Sequence, residues 1–219
     1  MAVSRRYDDP CGIARALDVV GDRWALLVVR ELIFGPKRFV QLRAGLNGIS
    51  PNVLSQRLRD LEDTGVVRHD MLDPPASVAV YELTDRGRAL EPVLIELGRW
   101  GSQESAVAST ELSVSALLLA LKTVFDPRRA IDSTVAIRVN GEWFSVTVDE
   151  KSIAITQGRA AEPGVTLLTD VPTLRSIVFG RQRIATAERH GRLTVVGDRD
   201  MAELFTRIFP APEPRSTTT

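Results

Sequence analysis

The stretch from Gly48 to Asp70, GISPNVLSQRLRDLEDTGVVRHD, holds a helix whose two ends are both signalled. Ser50 is a good N-cap, Pro51 suits the first helical position, and Gly65 is placed to close the helix as a left-handed residue. Between them Leu54, Leu58 and Leu61 recur at i, i+4 and i+7, which puts one apolar stripe toward a core. At about 100° per residue, Asn52, Ser55, Gln56 and Arg59 then face away from that core. Asn and Gln make bidentate pairs with adenine, Arg with guanine, and Ser donates or accepts, so this face has the chemistry to read base edges in a major groove. The acids Asp60, Glu62 and Asp63 come only in the last turns. An ordinary solvated helix face would look similar, so the neighbouring elements decide.

After Gly65 the runs VVRHDML and VAVYEL are separated by DPPAS, which reads as a β-hairpin with an irregular tip. Before the helix, IARALDVVGDRWALLVVRELIFGPKRF has two apolar-periodic pieces, Ile13 to Val20 and Trp24 to Phe34, broken at Gly21-Asp22 and closed at Gly35-Pro36. A shorter piece from Arg38 to Leu46 and a turn at Asn47-Gly48 lead into the Ser50 helix. Helix, helix, short helix, turn, reading helix and hairpin are the order of a winged helix-turn-helix.

With CGIARALDVVGDRWALLVVRELIFGPKRFVQL, GISPNVLSQRLRDLEDTGVV, YELTDRGRAL and LGRWG in this order, residues 8 to 108 resemble the HxlR family of MarR-like winged-helix transcription regulators. Thr often stands in the family where this chain has Pro51 or Ser55, a departure that bears on the operator sequence alone. The resemblance implies a homodimer, formed by the first helix and the long helix after the wing, that binds double-stranded DNA at an inverted-repeat operator. The residues agree with such a dimer. From Thr84, an N-cap candidate, Leu90, Val93, Leu94, Leu97 and Trp100 form a helical stripe that Pro92 kinks or restarts. This stripe needs a cover, either a second copy or the next domain of the same chain.

Basic and acidic residues balance at 28 each, giving a formal net charge of zero. Charge is local, however: Lys37, Arg38, Arg43, Arg57 and Arg59 fall in a segment without Asp or Glu, and phosphate contacts supply most salt-dependent affinity. Lys37, Arg38 and Arg57 flank the reading face and, with Ser50 at the helix start and Arg68 in the wing, are phosphate candidates. Arg43, on a short helix, is equally consistent with a solvated position. The wing tip, Asp73 to Ser77, carries two prolines and an acid and contributes little positive charge. No apolar run is long enough to span a bilayer and no signal peptide is present, so a cytoplasmic protein without membrane association is expected.

The single cysteine, Cys11, excludes an intramolecular disulfide and a cysteine-based metal cluster. It precedes the first helix, where the helix dipole favours thiolate. The resemblance implies that a Cys here senses oxidants or electrophiles in some members; a small buried residue at a dimer interface is the other reading. Phosphate-loop, His-Glu-x-x-His and Gly-x-Ser-x-Gly motifs are absent, and His69 and His190 have no nucleophile or carboxylate cluster at useful spacing. Neither catalysis, a metal nor a cofactor is expected.

The second half has another texture. SVSALLLALKTVF reads as an apolar helix, and STVAIRV and EWFSVTV flank an Asn140-Gly141 hairpin turn. SIAITQ and GVTLLT read as strands, VPTLRSIVFG as a short helix, and RQRIATAERHGRLTVVGDRDMAELFTRIF as helix, strand, tight turn and closing helix. These features, above all the ending, resemble the sterol carrier protein 2 (SCP2-like) fold, an α+β layer that encloses apolar ligands in carriers. The expected organisation is therefore a mainly α winged helix-turn-helix domain with a small β wing over residues 1–109, an α+β SCP2-like effector domain over 110–210 and a disordered tail over 211–219. Leu118, Leu121, Phe125, Trp143, Phe144, Phe179, Leu204, Phe205 and Phe209 are the residues available to wall a pocket for a small hydrophobic effector, though a domain of this size needs most of them as core. The sequence thus reads as a dimeric, ligand-responsive regulator. The alternative is a hydrophobic-ligand carrier that uses its N-terminal half for dimerisation, and the acid-free start of the Ser50 helix separates the two.

Overall fold

The computed structural model describes residues 7–71, 78–103, 111–180 and 182–210. The chain forms two compact units, Met1–Leu94 and Ile95–Thr219, so the division falls inside a helix. The wing tip from Asp73 to Ser77, the segment containing the expected boundary at 109, and the tail over 211–219 lie outside the described residues. No helix among the described residues is long and apolar enough to cross a membrane.

In the first unit α1 (Gly12–Val20), α2 (Ala25–Leu32), α3 (Phe39–Gly45) and α4 (Pro51–Asp63) precede an antiparallel hairpin of β1 (Val67–Met71) and β2 (Ala79–Leu83). The α4 ends follow from their residues. The Ser50 hydroxyl accepts from the Val53 N–H at 3.3 Å, and Pro51 occupies the first turn. At the other end Gly65, at φ +68°, donates to Glu62 O at 2.9 Å while Val66 donates to Leu61 O at 2.8 Å, the paired bonds of a Schellman close. Leu54, Leu58 and Leu61 are buried together with Val28, Val29, Leu32 and Leu42, forming the core that fixes the rotation of α4.

The helix after the wing is restarted rather than kinked. Thr84 caps α5 (Asp85–Arg88) by accepting from Gly87 N at 3.2 Å, and α6 (Glu91–Gly101) begins anew with Pro92 in its first turn, where no helical N–H is lost. Val93, Leu97 and Trp100, at i, i+4 and i+7 of α6, are 52%, 47% and 61% exposed.

In the second unit α7 (Val114–Val124) and a 3-10 turn lead to a five-stranded mixed sheet of β3 (Ser133–Val139), β4 (Glu142–Val148), β5 (Ile153–Gln157), β6 (Val165–Thr169) and β7 (Leu193–Gly197). The strand order is β5-β4-β3-β6-β7, with β3 and β6 parallel and every other pair antiparallel. Asn140 and Gly141 both take positive φ, as a two-residue hairpin turn requires. Between β6 and β7 lie α8 (Val171–Val178) and α9 (Ile184–Arg189), and α10 (Arg199–Arg207), capped by Asp198, closes the unit. Alternate strand residues Val135, Ile137, Val139, Phe144, Val146 and Leu167 are buried with Leu117, Leu118, Leu121 and Phe205.

Candidate nucleic-acid interface

The outward face of α4 carries Asn52, Gln56 and Arg59, all exposed, with Ser55 half-buried at its margin. Gln56 and Arg59 are tied to one another. Arg59 Nη2 donates to Gln56 Oε1 at 2.8 Å, and Gln56 Nε2 donates to Asp60 Oδ1 at 2.8 Å. Asp60 also takes Arg57 Nη1 at 3.2 Å, and Arg57 pairs with Asp22 in the turn between α1 and α2. The acid-free first turns expected from the sequence therefore end at an Asp60 that holds the amide of Gln56 in place.

The cations expected to touch phosphate divide into two groups. Arg38 is exposed, its backbone N–H donating to the Gln41 side chain at 2.9 Å, and Arg43 is exposed on the last turn of α3. Lys37 and Arg57 are instead engaged within the fold, and Arg68, its side chain 56% exposed, is paired across the wing. Lys37 Nζ donates to Glu31 Oε2 at 2.8 Å, with its side chain only 16% exposed. The Arg57 side chain is 15% exposed beside Asp22 and Asp60. Arg68 Nη2 meets Glu82 Oε1 at 2.7 Å across the wing, and that carboxylate raises the guanidinium's pKa further above its ordinary value. The reason is shared: each has an acid within a helical turn, a cross-strand position or a packed neighbour, and sequence spacing does not display the last two.

Glu31 is the residue that sequence reasoning passed over. It is completely buried in α2 and accepts from Arg30 Nη2 at 2.8 Å as well as from Lys37. Gly45, at the end of α3, lies so close that a Cβ there would meet the Glu31 carboxylate, and Arg30 Nη2 also reaches Gly45 O at 3.3 Å. The signal was a lone acid within the apolar run LLVVREL. Lys37 has a second role through its backbone, which exchanges two hydrogen bonds with Tyr81 at 2.9 and 2.8 Å. The wing is thereby stitched to the turn before α3. The ring of Tyr81 lies 4.8 Å from that of its cross-strand partner His69, tilted by 43°, and burial, aided by the charge of Glu62, raises its phenol above the ordinary pKa.

One further residue takes a position that periodicity did not foresee. Trp24, expected within the second helix, precedes it in the left-handed conformation at φ +81°, with the Arg23 guanidinium 5.3 Å from its ring. Cys11 is exposed at the N-cap of α1, its N–H donating to Asp9 Oδ1 at 2.8 Å. On α1, Ile13 and Leu17 are 72% and 42% exposed.

The family model described as HxlR-like helix-turn-helix matches residues 19–108. An uncharacterised HTH-type transcriptional regulator of Bacillus subtilis, YvaP, is 39% identical over 89 residues, which cover 41% of this chain and 82% of the relative. The chain belongs to the HxlR-like helix-turn-helix family. A second relative, the uncharacterised HTH-type transcriptional regulator sll1512 of Synechocystis, is 38% identical over 104 residues, 48% of this chain and 77% of its own. Among solved structures, the redox regulator HypR in its oxidized form is 33% identical, spanning 44% of this chain and 100% of that one with a TM-score of 0.40. The family match accounts for α2 to α6 and leaves the chain after residue 108 unassigned.

Among the described residues of the second unit the nine expected pocket residues are divided between the core, the surface and separate grooves. Leu118, Leu121, Phe144, Phe205 and Phe209 are buried, Phe205 and Phe209 stacking edge to face at 5.1 Å, as the packing of the sheet against its helices demands. Leu204 is 38% exposed on α10. Trp143 is half-buried on the opposite sheet face, with the guanidiniums of Arg138 and Arg159 5.8 and 4.9 Å from its ring, so it lines no opening to the core. Phe179 and Phe125 border separate grooves of roughly 360 Å³ and 500 Å³, and the buried Phe209 contributes to the wall of a third of roughly 540 Å³. Each of these grooves has arginines on its rim, including Arg175, Arg183 and Arg128.

Proposed function

We propose that this protein is a homodimeric, sequence-specific DNA-binding transcription regulator acting in the cytoplasm, and not an enzyme. The observation that carries it is the face of α4: Asn52, Gln56 and Arg59 are exposed together, with Arg59 bonded to Gln56 and Gln56 to Asp60. Preorganised bidentate groups on a capped helix are suited to base edges. Ser50 and the first turn of α4, with Arg38 and Arg43, supply the phosphate-facing groups, while Lys37, Arg57 and Arg68 act chiefly by positioning what surrounds them. The exposed stripes Ile13/Leu17 of α1 and Val93/Leu97/Trp100 of α6 support self-association, since each is an apolar face awaiting cover. Two copies of α4 about 34 Å apart then enter successive major grooves of an inverted-repeat operator.

The second unit serves in this proposal as an SCP2-like effector domain for a small hydrophobic molecule, supported by its order of helix, three-stranded meander, parallel β6, helices, β7 and closing helix. An effector there, or modification of the exposed Cys11, changes the separation of the reading helices and so releases DNA. Substitution Cys11→Ser then abolishes a diamide-induced loss of operator binding; an undiminished response in this variant removes Cys11 from the mechanism.

The test is a gel shift on the DNA upstream of the protein's own reading frame, at two salt concentrations and against random competitor. Binding that survives competitor is the expected result. Binding to neither DNA at low salt overturns the proposal in favour of a hydrophobic-ligand carrier, which a co-purified apolar molecule would identify.

A further inference from the structure

Val53 stands apart from every other apolar residue of its helix. Leu54, Leu58 and Leu61 are at most 1% exposed, whereas Val53 is 40% exposed in the first turn, three residues before its surface neighbour Gln56. The sequence reading passed over it because only polar residues were sought on that face. Its backbone is pinned: the Val53 N–H is the group that the Ser50 cap satisfies at 3.3 Å. A β-branched side chain on a pinned helical backbone has essentially one rotamer, so its two methyl groups project in a fixed direction.

We infer that Val53 is a specificity-determining residue that packs against the C5-methyl group of a thymine in each operator half-site. The inference rests on the DNA-binding function proposed above and adds to it a named base. The first residues of a reading helix are those that reach base edges, and thymine alone among the DNA bases presents an apolar group in the major groove. A rigid exposed valine beside hydrogen-bonding Asn52 and Gln56 matches an A·T pair flanked by pairs read through polar groups.

The experiment uses the full-length protein and duplexes that it enriches from a random-sequence library. Each thymine in turn is replaced by uracil, which lacks only the methyl group, and affinity is measured for the native protein, Val53→Ser and Val53→Thr. One thymine position is expected to lose about fourfold in affinity on replacement, the worth of one apolar carbon removed from water. That penalty disappears in Val53→Ser and is kept in Val53→Thr, which retains one methyl group. A uracil penalty of equal size in native protein and Val53→Ser, or none at any position, overturns the inference while leaving DNA reading intact. Failure to enrich any sequence overturns DNA reading itself, and the inference with it.

Discussion

The ammonium of Lys37 donates to the carboxylate of Glu31 at 2.8 Å, and that carboxylate is fully buried. A cation that the sequence offers to the DNA backbone is thus spent inside the fold. Removing one partner of a buried pair leaves the other charge without its counter-ion, although Arg30 remains to share the cost here. Lys37→Met is expected to destabilise the protein by about 2 kcal/mol in urea unfolding. Its operator binding, measured where the protein is folded, keeps the native salt dependence. A slope lower by about one would mean that Lys37 meets phosphate after all.

Arg59 and Gln56 share a hydrogen bond at 2.8 Å and act as a pair. Arg59→Ala and Gln56→Ala are each expected to lose about 1–3 kcal/mol of operator affinity and to relax sequence preference. The double variant should lose less than the sum, because each single change also frees its neighbour. Competition binding against random DNA checks this: equal losses on both DNAs would remove these residues from base reading.

Self-association should depend on the α6 stripe. Leu97→Glu places a charge in the middle of an apolar face and is expected to weaken the dimer by about 3 kcal/mol or more, read as monomer by sedimentation at micromolar concentration. Because Leu97 is 47% exposed, the fold itself should tolerate the change, and circular dichroism should be unaltered. A variant that remains dimeric places the interface elsewhere.

Asp126 gives the acid limb of stability. Arg128 donates to both its oxygens at 2.9 and 3.0 Å and, with Arg129, lowers the Asp126 pKa below the ordinary 3.8. A carboxylate whose pKa is depressed on folding adds stability that is complete above the unfolded value and is lost as pH falls through the folded one. Native protein and Asp126→Asn should therefore differ in melting temperature at neutral pH, begin to approach one another near 3.8 and converge only below the depressed value of the folded state. A constant difference across that range would deny the ion pair its role.

The parts legible in the sequence were those written in neighbouring residues. Ser50, Pro51 and Gly65 bound α4 by local chemistry, and Asn140-Gly141 sets the β3–β4 turn in the same way. Periodicity gave the three buried leucines of α4 and the alternating face of β3. The illegible parts are partnerships across the chain. Arg57 with Asp22 and Tyr81 with Lys37 are separated by dozens of residues and no pattern announces them. Composition likewise cannot distinguish Leu118, which fills the core, from a residue that walls a cavity.

The two backbone bonds between Lys37 and Tyr81 carry one last implication. They make the wing base and the segment entering α3 one piece of backbone, so the distance from the wing to α4 behaves like a milled edge and not a hinge. Operators for such a protein should therefore keep a fixed number of base pairs between the wing contact and the helix contact within each half-site. An insertion within a half-site has no compensating movement to absorb it.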